Sequence, residues 1–336
     1  MDVNLIIDGN YLLYRCVHSL VATKTLYGDL EPALNVAFKR LLKRYDFNQV
    51  YFTSDKKGGS WRKDLYPEYK GKRKKSAAVD WEFVFNTYDA FKAQLRELPL
   101  VQVIEEVKIE ADDWIRHLVR ESNKEGISTL VVSSDGDLHQ LLAYRLKPLW
   151  MNMQWRESMQ EDKLFLPSGY ELFLHEVRKQ TTTDFFAPTG HENFLSFFAS
   201  LNQQATTQPV DIEQMLFKKI VQGDDGDNIL SVLLKKSKDG KPRGIGDSGV
   251  ANIWRKFKEA HEVEIDFFTD AWIEQVIPFV AAEKKMPLSE ELTQQVRRNL
   301  LFNRRLIHLH ERYMPLPVKL ILDRLEKPTL TRKLIS

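Results

Sequence analysis

The first 150 residues alternate short apolar runs with longer stretches of helical periodicity. "VNLIID" (Val3–Asp8) is an apolar run that closes on a carboxylate and reads as a buried strand. Helical spacing follows and is strongest in "PALNVAFKRLLKRY" (32–45), where the proline suits the first turn of a helix. "QVYFTSD" (49–55) is a second apolar run with an aspartate at its exit, and "DWEFVFNTYDAFKAQLREL" (80–98) predicts another helix. "VQVIEE" (101–106) is a strand candidate, "EADDWIRHLVRESNKEG" (110–126) a helix that stops near its asparagine and glycine, and "STLVVSS" (128–134) the next strand. Strands alternating with helices predict an α/β fold with a mainly parallel central sheet flanked by helices. Sites in such sheets form beyond the carboxyl ends of the strands, where Asp8, Asp55 and Asp135 all stand.

Beyond about residue 156 the pattern changes. Polar, loop-like segments (181–183, 202–209) flank Phe185, Phe186, Phe194, Phe197 and Phe198, and 156–210 reads as an insertion of unknown role with one or two short helices. From 211 to 336 the spacing is helical again, broken by "KKSKDGKPRGIGDSG". The chain therefore divides into an α/β core (1–155), the insertion (156–210) and a helical C-terminal region (211–336).

Composition narrows the class. Of 336 residues 43% are apolar and 29% charged, as in a soluble globular protein. No apolar run approaches the roughly 20 residues that cross a bilayer. "MDVNLIIDGN" lacks the basic region and cleavage site of a signal peptide, so a cytoplasmic location without a membrane partner is expected. Cys16 is the sole cysteine, which excludes an internal disulfide and cysteine-based zinc sites. The net charge of +2 is bland, yet residues 56–75 hold nine basic against two acidic side chains. That local excess of seven leaves about −5 for the rest of the chain, a segregation that suits a polyanion site.

The acids raise the sharper question. Asp8, Asp55, Glu110, Asp112, Asp113, Asp135, Asp137, Asp224, Asp225 and Asp227 are the candidates. Taken singly, a strand-end aspartate most often caps a helix or a turn, and acids opening a helix suit its dipole. Taken together they need more, because an α/β topology brings at least three strand-end carboxylates to one place. Converging carboxylates persist only when protonated or neutralised by cations. Oxygen ligands without cysteine or clustered histidine point to hard cations, magnesium or manganese, rather than zinc, and two such ions suit phosphodiester chemistry. Two magnesium ions, with manganese able to substitute, are expected. On helical spacing Glu110 and Asp113 share a face, as Asp224 and Asp227 would. Beside them "DKKGGSWRKDLYPEYKGKRKK" interleaves Lys56, Lys57, Arg62, Lys63, Lys70, Lys72, Arg73, Lys74 and Lys75 with Trp61, Tyr66 and Tyr69. Cations neutralise backbone phosphates and aromatic faces stack on unpaired bases.

In order, "IIDGN", the basic segment, "IEADDW", "SSDGDLHQLL" and "IVQGDDGDNI" resemble the motifs of the flap endonuclease/5′-nuclease superfamily, its phage members above all. The resemblance covers most of 1–150 and resumes at about 210–310. It implies a PIN-like 5′-nuclease core, a basic helical arch at 56–80 and a helix-hairpin-helix element. It also implies a first metal cluster of Asp8, Asp55, Glu110, Asp112 and Asp135, and a second of Asp113, Asp137, Asp224 and Asp227. Asp225 falls off the pattern. Lys70 and Arg73 match the arch's cationic pair that contacts the scissile phosphate, and Tyr69 lies beside them as a stacking residue. Lys56, Lys57, Trp61, Arg62, Lys72 and Lys74 would contact DNA. "RGIGDSGVANIWRKF" (243–257) resembles the helix-hairpin-helix, with Gly244, Gly246, Gly249 and Lys256 on duplex DNA and a potassium ion at the turn.

The implied activity is that of a structure-specific 5′-nuclease, acting as 5′→3′ exonuclease, ribonuclease H and flap endonuclease. Its substrates would be DNA and RNA–DNA duplexes with 5′ ends or flaps, its setting the removal of RNA primers during lagging-strand replication in a phage. A monomer is implied, with a single-stranded-DNA-binding protein or a sliding clamp as partner. The chain departs from the family where "LSVLLKKSKDGKP" separates "GDDGDNI" from "GIGDSG". Two alternatives stay open: a PIN-type ribonuclease, which shares the acidic core, and a non-catalytic DNA-structure-binding protein, which would need the basic segment but not the acids.

Overall fold

A computed structural model describes residues 3–42, 47–143, 149–156, 161–165, 171–173, 211–261 and 269–325. The chain forms two compact units: residues 1–61, 75–210 and 315–336 make the first, and 62–74 with 211–314 the second. The basic segment is thus not wholly part of the α/β core, as the expected boundary at 155 had it. Residues 62–74 group with the C-terminal region.

In the first unit, β1 (Val3–Asp8), β2 (Gln49–Thr53), β3 (Val101–Ile104), β4 (Ser128–Val132), β5 (Leu149–Arg156), β6 (Glu161–Phe165) and β7 (Glu171–Phe173) form one sheet in the order β3-β2-β1-β4-β5-β6-β7. The first five strands run parallel, and β6 and β7 extend the edge antiparallel. The sheet therefore runs past residue 155 into the expected insertion. The rest of 156–210, including the short helices expected there, lies outside the described residues.

Alternation along the strands sorts their side chains between two faces. Leu5, Ile7, Val50, Phe52, Leu130 and Val132 join one core with α1 (Gly9–Thr23), α2 (Leu26–Leu42) and α4 (Trp81–Arg96). At its centre the Phe52 ring lies 5.9 to 6.3 Å from those of Phe91, Tyr88 and Phe38. Helix α5 (Ala111–Lys124) packs on β1, β2 and β4. Helix α2 begins six residues before the expected start, with Pro32 inside it. Leu26, Leu30, Leu34, Phe38 and Leu41, all buried, supply a stripe whose packing outweighs the proline's local preference. Helix α3 (Trp61–Leu65) is short, and residues 66–80 are turns and irregular chain, so the arch expected at 56–80 is not a continuous helix.

The second unit is helical: α7 (Ile212–Gln222), α8 (Asp247–Ala260), α9 (Ala271–Glu283) and α10 (Glu290–Ile307) enclose Phe217, Ile253, Phe257, Val276 and Val296. The stretch that departs from the family pattern makes a small hairpin of β8 (Lys235–Lys236) and β9 (Pro242–Arg243). Two short helices of the first unit, α6 (Gln140–Ala143) and α11 (Leu316–Asp323), complete the described α-helices. Among the described residues no helix is long and apolar enough to cross a membrane.

Candidate active site

The sheet order places the first acids. From β1 the chain winds outward through β2 to β3, then returns to lay β4 on β1's other side. The space beyond the carboxyl ends of β1 and β4 is therefore a topological switch point, where connections diverge and leave a crevice. Ile7 pairs with Val132 and Asp8 with Thr53, so Asp8, Ser133 and Thr53, the last residue of β2, come out level.

Asp8 ends β1 and caps α1. Its carboxylate accepts hydrogen bonds from the Tyr11 amide at 3.0 Å and the Ser133 hydroxyl at 2.7 Å. Burial nevertheless pushes its pKa up to about 6 from 3.8; the two hydrogen bonds oppose that rise, and Asp135 and Asp55 add to it. Asp135 opens the 3₁₀ turn Gly136–His139, where its side chain accepts the Asp137 amide at 2.8 Å. Asp55, exposed beyond β2, accepts the Ala111 amide at 2.7 Å, which ties it to the start of α5. Glu110, next to that start, is buried, whereas Asp112 and Asp137 are half-buried. Glu110, Asp112, Asp135 and Asp137 thus all belong to the unit that holds Asp8 and Asp55.

Asp113 has a different place. It is 0% exposed, and its carboxylate accepts the Trp61 indole N–H at 2.8 Å and the Glu110 amide at 3.4 Å. The helical spacing that suggested a shared metal face for Glu110 and Asp113 instead turns Asp113 inward, where it closes the capping arrangement of α5. Among the described residues no three carboxylates, histidines or cysteines stand close enough to ligate one ion without further adjustment.

The second unit holds Asp224 and Asp227. Gly223, at φ +82°, turns the chain out of α7; an added Cβ would overlap the backbone of Ile229 and Leu230, so only glycine fits. Asp224 then bridges to Ile229 and accepts Lys219 at 3.0 Å and the Gly226 amide at 2.9 Å. Burial favours its neutral form, but the Lys219 ammonium and these hydrogen bonds hold its pKa below the usual value. Asp227 accepts the Tyr69 hydroxyl at 2.9 Å and pairs with Arg73, whose Nε donates to the Gly226 carbonyl. Lys70, at φ +57°, donates its amide to the Asp227 carbonyl at 2.8 Å. Asp225 is exposed.

Three residues expected on DNA are spent inside the protein. Trp61, Arg62 and Tyr69 are 3%, 2% and 4% exposed; Trp61 serves Asp113, Arg62 donates to the Leu306 carbonyl at 2.8 Å and Tyr69 serves Asp227. None offers a free face for stacking. Lys56, Lys57, Lys72, Arg73 and Lys74 are exposed, and Lys70 half so. A cavity of about 990 Å³ lies beside Asp55, lined by Lys56, Lys57, Lys75, Tyr14, Trp81 and Phe85 among others. The Lys75 ammonium sits 4.1 Å from the Phe85 ring centre and 5.5 Å from that of Trp81, and Tyr14 packs 5.7 Å from Trp81. These aromatics escaped the sequence reading; Trp81 and Phe85, four apart on α4, were the available signal.

At the glycine turn, Gly246 precedes the first turn of α8 and Gly249 is buried within it. Gly244 lies against Ser231, whose hydroxyl would stand 3.1 Å from an added Cβ and accepts the Ile245 amide at 3.0 Å. Lys256 is exposed.

Comparison with known proteins agrees with this geometry. Residues 3–166 match the model of the 5′–3′ exonuclease N-terminal, resolvase-like domain. The chain is 35% identical over 178 residues to the ribonuclease H of phage T4, covering 46% of this chain and 58% of that one. It is 32% identical over 147 residues to the thermostable DNA polymerase I of Thermus aquaticus, covering 43% of this chain but 17% of the polymerase. A 5′–3′ exonuclease of Mycoplasmopsis pulmonis is 21% identical over 267 residues, covering 77% of this chain and 68% of that one. Among solved structures, a phage T5 flap endonuclease in complex with DNA and metal ions superposes with a TM-score of 0.53 at 18% identity, over 91% of this chain and 89% of that one. Zinc-bound phage T5 5′-exonuclease gives the same TM-score of 0.53, identity and coverage. The matched residues 3–166 include all five parallel strands and the acids at their switch point, and that region is similar to the 5′–3′ exonuclease N-terminal, resolvase-like domain.

Proposed function

We propose that this protein is a divalent-metal-dependent, structure-specific 5′-nuclease that hydrolyses phosphodiesters as a 5′→3′ exonuclease, ribonuclease H and flap endonuclease. The observation that carries the reading is the placing of Asp8, Asp55 and Asp135 beyond the carboxyl ends of adjacent parallel strands, with Asp8 buried and Asp135 and Asp55 both acting on its charge. Asp8, Asp55, Glu110, Asp112, Asp135 and Asp137 are the oxygen donors that would hold magnesium or manganese. Such ions, when bound, activate a water and stabilise the leaving oxygen of a phosphodiester.

The chain's own groups supply the rest. Ser133 and the Tyr11 amide orient Asp8, and the Ala111 amide orients Asp55. Lys56, Lys57 and Lys75 face the cavity beside Asp55 with Tyr14, Trp81 and Phe85, a surface suited to unpaired nucleotides through charge and stacking. Lys70 and Arg73 hold phosphate in this reading, Arg73 exchanging Asp227 for it. Gly244, Gly246, Gly249 and Lys256 serve the duplex. Primer removal during replication is the setting that fits this reading, since a ribonuclease H and a DNA polymerase I are among the proteins the chain is similar to.

An end-labelled 5′-flap duplex tests the reading. Short labelled products in magnesium and none in excess EDTA are expected; cleavage that survives chelation would exclude the metal site. The double variant Asp135→Asn with Asp137→Asn should lose cleavage by at least about a hundredfold, since each removed charge weakens ion binding. Flap binding by gel shift should persist. A double variant that cuts at nearly the wild-type rate would remove both acids from the site.

A further inference from the structure

The hairpin that interrupts the family pattern leads to a pair of lysines whose ammonium groups tie the hairpin and the glycine turn to the end of α9. Lys284, just past the end of α9, donates from Nζ to the Arg243 carbonyl at 3.0 Å and the Gly244 carbonyl at 2.5 Å. Lys235, on the hairpin, donates in return to the Lys284 carbonyl at 2.8 Å and the Lys285 carbonyl at 3.4 Å. The second exchange satisfies carbonyls that the end of α9 leaves without helical partners. The first converges two carbonyls of the glycine turn on one ammonium. Glu283 adds a third tie, accepting the Asn252 amide at 2.6 Å on α8. Burial lowers the pKa of Lys284, Glu283 opposes that and Lys235 adds to it.

We propose that the Lys284 ammonium is a built-in cation of the glycine turn. It fixes the Gly244–Gly246 backbone so that the amides opening α8 can meet a phosphate, and it replaces a bound monovalent ion there. Lys284 is a positioning residue, acting on duplex through the turn, and Lys235 keeps it in place. An ion directed to those two carbonyl oxygens would meet the ammonium there already. The hairpin insertion supplies Lys235, which gives that departure from the family pattern a purpose. The proposal rests on the reading that this turn binds duplex.

Equilibrium binding of the full chain to a blunt duplex, in sodium, potassium or ammonium chloride at equal ionic strength, tests it. Wild-type affinity is expected to be the same in sodium and potassium. Lys284→Ala should bind about tenfold more weakly in sodium, the weight of a charged hydrogen bond. Ammonium should restore much of that loss, with the change falling on affinity rather than on the saturating single-turnover rate. Lys235→Ala should move affinity the same way by less. Unchanged affinity in Lys284→Ala, a wild type that needs potassium, or a loss that ammonium does not repair would each overturn the proposal. The last would mean that Lys284 touches phosphate itself or only supports the fold. If the wild type bound no duplex in any salt, the function reading would fall first.

Discussion

Asp8→Asn is expected to abolish cleavage and, in the presence of chelator, to make the protein more stable at pH 7. The two effects have one cause. In the unfolded chain Asp8 ionises near 3.8, and in the fold near 6. The native state therefore binds the proton more tightly, and stability falls as pH rises from about 4 through 6. Above pH 6 the whole penalty stands: two units at about 1.4 kcal/mol each is roughly 3 kcal/mol. Asparagine cannot ionise, and it caps a helix as well as aspartate does, so the Tyr11 contact survives.

Urea denaturation in EDTA should then show the variant ahead of wild type at pH 7 and level with it near pH 4. Magnesium should close the gap at pH 7, because an ion that binds only the native wild type stabilises it by mass action. Cleavage in magnesium should fall at least about a hundredfold through loss of a metal-directed charge. Equal stability of the two proteins in EDTA at both pH values would show that Asp8 carries no penalty for holding its charge in the fold.

Much of that site was legible because apolar runs ending on aspartate have few structures open to them. A parallel sheet sends its carboxyl ends to one side, so Asp8, Asp55 and Asp135 were brought to one unit by topology alone. The order of the strands, which makes β1 and β4 neighbours at the switch point, was not legible. It depends on which strand the chain returns to, a choice made by packing across the whole sheet.

Burial was the other blind spot. The segment from 56 to 75 looks uniformly solvated, yet Trp61, Arg62 and Tyr69 are enclosed while the lysines around them stay out. Composition cannot separate a guanidinium that reads phosphate from one that ties two parts of the chain together. Asp113 misled for a related reason: helical spacing puts it on Glu110's face, but an indole partner 52 residues away in sequence decides where its carboxylate points. The aromatic wall of Tyr14, Trp81 and Phe85 went unseen because it is assembled from two helices distant in sequence.

Arg62→Ala makes that distinction measurable. If Arg62 were a DNA contact, its loss would weaken binding and leave the fold alone. The structure implies the reverse. Arg62 is 2% exposed, among the largest fully buried side chains, and donates to the Leu306 carbonyl at the end of α10. Truncation leaves a cavity and removes the donor from a buried carbonyl, which together cost about 2–4 kcal/mol. The neighbouring Lys63 is exposed, and its replacement by alanine should change stability by no more than about 0.5 kcal/mol. Lys72→Ala should show the opposite profile: an unchanged denaturation midpoint, weaker flap binding, and a salt slope shallower by about one. A lowered midpoint for Arg62→Ala, with flap affinity of the folded protein intact, is the expected result. Should Arg62→Ala keep its midpoint and lose affinity, the guanidinium must leave Leu306 for phosphate, and the buried arrangement would not be the one that meets DNA.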